Sequence, residues 1–174
     1  MKTKLFSICL LAALTTTFDT SAGEPPKPYT GSAEFEKLKS LAGTWQGSTD
    51  MGKGPMPITV QYRIVSGGSA VEERLFADTP MEMVTIYHEK DGKPALTHYC
   101  TLCNRPAMAL VKANDKTLTF DLAKDAGIDV AKEKHMHGVA LTFDDADHLT
   151  QDWTLYEDGK EQPHHAFKLA RVNP

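Results

Sequence analysis

From Gly43 onward the chain alternates apolar and polar residues with period two, and turn residues interrupt the alternation at short, regular intervals. Ile58, Val60, Tyr62 and Ile64 alternate with Thr59, Gln61 and Arg63, which is the side-chain period of a half-buried strand. Ser66-Gly67-Gly68-Ser69 then turns the chain into Ala70–Phe76. Met83–His88 and Ala95–Leu102 flank a turn at Asp91-Gly92, where glycine supplies the positive φ of a tight hairpin. Met108–Lys112 with Thr117–Leu122, and His137–Asp144 with Leu149–Tyr156, make two more pairs, and a last strand runs from His165 to Val172. With Trp45–Thr49 as the first, about ten short strands are expected, the pattern of an all-β barrel or sandwich. Consecutive hairpins make an antiparallel up-and-down barrel the simplest topology, because closure removes both sheet edges. A two-sheet sandwich fits the same periodicity.

One short helix precedes the strands. Phe35, Leu38 and Leu41 recur at helical spacing behind Ser32, a good N-cap. Further upstream, Lys2 and Lys4, an apolar run from Leu5 to Leu14 and the small residues Thr20-Ser21-Ala22 have the layout of a secretory signal peptide over residues 1–22. The run is shorter than the roughly 20 residues a bilayer requires, so no membrane span is expected after cleavage. The chain is thus expected to be exported, to the periplasm or outside the cell. Residues 23–31 carry Pro25, Pro26 and Pro28 and read as an extended tether, which leaves 32–174 as one domain. A closed domain of this size is expected to be a monomer or a weak oligomer. Lys and Arg total 19 against 23 Asp and Glu, with no basic run, so the sequence lacks the footprint of a nucleic-acid binder.

If strand faces follow their apolar neighbours, an unusual set of polar residues points inward. His98 and Cys100 share a face with Leu96 and Leu102, and His135 and His137 share one with Val139, Leu141 and Phe143. Glu73 lies with Val71 and Leu75, Gln151 with Leu149 and Trp153, and His165 with Phe167 and Leu169. Buried polar groups need partners, from each other or from a ligand. His98, Cys100, His135, His137, Gln151, Trp153, His165 and Glu73 are therefore the candidate ligand-binding residues, for a small and largely apolar molecule. His98, His135 and His137 are also candidate ligands for zinc or another divalent metal, if their strands face each other across the lumen. Other readings stand beside these: a structural domain whose interior is filled by its own side chains, His135 and His137 as a polar pair at the rim, His98 as a hydrogen-bonded core histidine, and Tyr62, Tyr87, Tyr99, Trp153 and Phe120 as core. Cys100 and Cys103 are a candidate disulfide in an oxidising compartment. No nucleophile elbow, zincin motif, phosphate loop or dinucleotide fingerprint occurs, and no catalytic residue is assigned.

Leu41-Ala42-Gly43-Thr44-Trp45, a short helix running into Gly-x-Trp on the first strand, resembles the opening of lipocalins and related calycin barrels. The resemblance implies that Trp45 plugs the closed end and that Arg171 covers it, with Gly43 as the structural glycine between them. The chain ends on its last strand without the C-terminal helix of lipocalins. Its strand number is more similar to the fatty-acid-binding and nitrobindin-type members, and the latter imply haem held by a histidine. The run from Gly67-Gly68-Ser69 through Met83–His88 to Thr97-His98-Tyr99-Cys100 also resembles a group of exported bacterial proteins, for which no activity is implied.

Overall fold

The computed structural model describes residues 27–172, apart from residue 53. The expected signal peptide, and Pro25 and Pro26 of the tether, lie outside these residues. A helix, α1 (Ala33–Lys39), is followed by β1 (Gly43–Asp50), β2 (Pro55–Val65), β3 (Ala70–Leu75), β4 (Met83–Lys90) and β5 (Lys93–Tyr99). Then come β6 (Ala107–Ala113), β7 (Thr117–Leu122), β8 (His135–Phe143), β9 (His148–Glu157), β10 (Lys160–Glu161) and β11 (His165–Arg171). Strands β1 to β9 pair in sequence order, β11 pairs with both β9 and β1, and every pairing is antiparallel. The sheet therefore closes into a ten-stranded up-and-down barrel rather than a sandwich. The two-residue β10 continues the line of β11 along β9; Pro163, between them, has no N–H to give the ladder.

The closed end is built from the residues that the calycin resemblance singles out. Ser32 caps α1 by accepting the Phe35 amide at 3.2 Å, and Phe35, Leu38 and Leu41 are buried against the barrel. Trp45 Nε1 donates to the Leu41 carbonyl at 2.8 Å. The Arg171 guanidinium lies 4.2 Å from the Trp45 ring centroid and donates to the Ala42 and Ser40 carbonyls at 2.8 and 2.9 Å. The strand ending the chain thus holds the residues that follow the helix. Gly43 sits at φ 132°, and a Cβ there would come within 3.1 Å of Arg171 Nη1. Only glycine combines that backbone with that neighbour.

Inside, Trp45, Ile58, Val60, Val71, Leu75, Leu96, Met108, Leu118, Phe120, Val139, Leu141, Leu149 and Leu169 form one continuous buried core. It runs from the helix-covered end to Leu75, Trp153 and Phe167, which also line a space at the opposite, open end.

Candidate functional site

A cavity of about 320 Å³ opens at the end of the barrel away from α1. Met51, Leu75, Met81, Met83, Met136, Leu155 and Phe167 make its wall apolar, and His98, Cys100, Trp153 and His165 bring functional groups to it. Methionine is flexible and polarizable, so four of them make a wall that can adapt to its occupant. Met51, Met81 and Leu102 are exposed at the rim.

Beneath the cavity runs a row of inward polar side chains set by strand register. Tyr62 pairs with Glu73, Glu73 with Thr85 and Thr85 with His98, across four neighbouring strands. Glu73 is fully buried. Its carboxyl accepts Tyr62 Oη at 2.6 Å, Gln151 Nε2 at 2.6 Å and Tyr87 Oη at 3.2 Å. Gln151, from the far wall, also donates to Tyr62 Oη, and its Oε1 accepts Trp153 Nε1 at 2.9 Å, which fixes the amide orientation. Burial raises the Glu73 pKa, while hydrogen bonds from Tyr62, Thr85, Gln151 and Tyr87 pull it back down. Burial pushes Tyr62 and Tyr87 well above the usual tyrosine range.

Thr85 Oγ1 hydrogen-bonds His98 Nδ1 at 2.9 Å, and either atom can be the donor, according to the tautomer of the ring. Burial lowers the His98 pKa to about 4, which keeps the ring neutral. Nε2 is buried without a partner in a residue only 1 % exposed that lines the cavity, with the Trp153 ring tilted against it at 4.7 Å. A polar atom in this position costs free energy until something hydrogen-bonds or coordinates it.

His98, Cys100, Trp153 and His165 line the cavity together, while Glu73 and Gln151 lie under it and join it through Trp153. The sequence reading missed the parts played by Tyr62, Tyr87 and Thr85 and the cavity methionines. Tyr62, Tyr87 and Phe120 are buried as expected, but Tyr99 points outward and is half exposed. Strand β5 stops at Tyr99, so Leu102 belongs to the following turn rather than to the inward face.

His135 and His137 do not face the lumen. The β8–β9 register slips between Met136 and Gly138, leaving His137 as an extra, bulged residue. The bulge turns Met136 into the cavity and leaves both histidines on the outer side of the strand, His135 fully buried opposite Tyr156 and His137 lining a surface pocket. There His137 stacks on Tyr156 at 3.9 Å, its Nδ1 meets His135 Nε2 at 2.9 Å and its Nε2 lies 3.5 Å from Asp121. Burial lowers the His137 pKa. The expected site of His98, His135 and His137 around one ion is thus not formed, and among the described residues no three His, Cys, Asp or Glu side chains gather to hold a metal. Cys100 and Cys103 are free thiols rather than a disulfide. Cys103 takes φ 62° in the turn and sends its Sγ toward the Thr101 carbonyl, while Cys100 Sγ turns into the cavity against Met83.

No protein-family model and no curated protein matches the chain. Among solved structures it is similar to the crystal structure of Rv2717c from M. tuberculosis, at 15 % identity and TM-score 0.55 over 83 % of this chain and 100 % of that one. At that identity the likeness carries the barrel fold alone.

Proposed function

We propose that the protein is an exported carrier or receptor for a small, largely apolar molecule held in the open-end cavity, and that His98 carries its proton on Nδ1, facing Thr85, so that Nε2 accepts one hydrogen bond from the ligand. The observation that supports this most is the unpartnered Nε2 of His98 in the wall of a methionine-lined space. The apolar wall supplies affinity by burial, and the fixed acceptor orients the ligand. Trp153, seated on both His98 and Gln151, makes a flat wall for a ring. Export rests on the leader-like residues 1–22, and the N-terminal sequence of the protein recovered from its host is expected to begin at Gly23.

The reading is tested with two probes of nearly equal size, naphthalene and 1-naphthol. One uncharged hydrogen bond adds about 1 kcal/mol, so calorimetry is expected to show 1-naphthol binding about fivefold more tightly. His98→Phe is expected to erase that preference. Equal affinities in the wild type, or an unchanged preference in His98→Phe, removes the basis of the proposal. Haem, which the nitrobindin-type resemblance implies, is a second reading, in which His98 Nε2 would be the iron ligand and Thr85 would hold the other ring nitrogen. Absorbance near about 400 nm on the protein as purified separates haem from a colourless ligand.

A further inference from the structure

We propose that the cavity wall is also a binding site for a soft monovalent metal ion, Cu(I), held by Cys100 Sγ, Met83 Sδ and His98 Nε2. The pairing of Val84 with Tyr99 places Met83 across from Cys100, and their sulfur atoms lie 3.8 Å apart. With metal–sulfur bonds of about 2.3 Å, two sulfur ligands on one trigonal or tetrahedral ion are separated by about 3.8 to 4 Å. The two sulfurs therefore already have the spacing that a shared ion requires. His98 lies two residues before Cys100 on the same inward side, about 7 Å away along the strand, and brings the one ring nitrogen that has no partner. Its other nitrogen is held by Thr85, as outer contacts hold metal-bound histidines. Met51, Met81 and Met136 line the same space, so a further thioether is at hand.

Ligand softness and charge both select the ion. Thiolate and thioether ligands favour Cu(I), while a lone Cys and His offer zinc only two of the ligands it prefers. Binding releases the Cys100 thiol proton to solvent, so a monovalent ion and a thiolate leave the site neutral. A divalent ion would leave a net positive charge in an apolar wall, with a large desolvation cost. Cys103, turned outward, takes no part.

The proposal uses the same cavity as the small-molecule reading but does not rest on it. The mature chain, reduced and anaerobic, is titrated with Cu(I) supplied as its acetonitrile complex against a chromogenic Cu(I) chelator. One ion per chain is expected, with sulfur and nitrogen neighbours in its X-ray absorption spectrum and one proton released. Cys100→Ser and His98→Phe are expected to weaken binding at least about 100-fold and Met83→Leu about tenfold, while Cys103→Ser has no effect. Near-UV circular dichroism establishes that each variant is folded, and Met83→Leu, which conserves volume, carries the test if Cys100→Ser is not. Absence of Cu(I) binding, indifference to Met83→Leu, or a loss in Cys103→Ser equal to that in Cys100→Ser each overturns the site. The last result would place the ion on the outer Cys-x-x-Cys turn instead. Met83→Leu is expected to keep the preference for 1-naphthol, so the two proposals fail separately.

Discussion

His98 is held neutral by burial, and that state has a measurable cost in acid. Its folded pKa of about 4 lies below the ordinary 6.5, so between these values the unfolded chain binds the proton and the folded chain does not. Stability due to this group is complete above pH 6.5 and falls as the pH drops to about 4, by roughly 3 kcal/mol in all. Urea unfolding at pH 7 and pH 4.5 is expected to show a drop for the wild type that is clearly smaller in His98→Phe; parallel losses would mean that His98 is not the group responsible. Glu73 makes a complementary prediction. Tyr62, Tyr87 and Gln151 all donate to its carboxyl, so Glu73→Gln sets an NH₂ group against donors and is expected to cost about 1 to 3 kcal/mol. Unchanged stability in Glu73→Gln would show that the carboxyl is protonated and already acts as a donor.

The strands were legible where a tight turn anchored them. Counting back from Gly67-Gly68 brings Glu73 opposite Tyr62, and counting back from Asp91-Gly92 brings His98 opposite Thr85, so the polar row was implicit in the hairpins. Strand β8 has no such anchor, because it follows the long 123–134 connection, and simple alternation put His135 and His137 on the wrong face. A signal was present in Met136 and Val139, two apolar residues three apart that share the inward face only if one residue is extra. Deleting His137 is accordingly expected to leave a regular ladder with Met136 still inward, to change stability by no more than about 1 kcal/mol and to preserve probe binding. Loss of the cavity in that deletion would restore the inward assignment. The β1–β11 seam is less forgiving. A Cβ at Gly47 would lie 1.8 Å from the Lys168 carbonyl oxygen, a backbone atom with little room to move. Gly47→Ala is expected to lower stability by at least about 2 kcal/mol in denaturant melts, and a neutral effect would show that this seam is looser than its register implies.

At the scale of the barrel, the two ends have separate tasks. The closed end joins the start and finish of the chain: Arg171, on the last strand, covers Trp45 on the first and ties down the residues that follow the helix. That arrangement was readable in advance because Gly-x-Trp and a terminal Arg are local signals, whereas the open-end cavity depends on how side chains from many strands leave space unfilled, which no local pattern encodes. A filled core lies between the ends, so a disturbance at one should not reach the other. Arg171→Ala removes three side-chain hydrogen bonds, to the Ser40, Ala42 and Ala146 carbonyls, an ion pair with Asp147 and a cation–π contact, and is expected to cost at least about 2 kcal/mol while leaving 1-naphthol affinity within about twofold. His98→Phe is expected to do the reverse at pH 7, altering probe selectivity with a much smaller change in Tm. If Arg171→Ala weakens probe binding in proportion to its loss of stability, the barrel behaves as one soft unit, and the rigid His98 acceptor on which the binding proposal depends is lost with it.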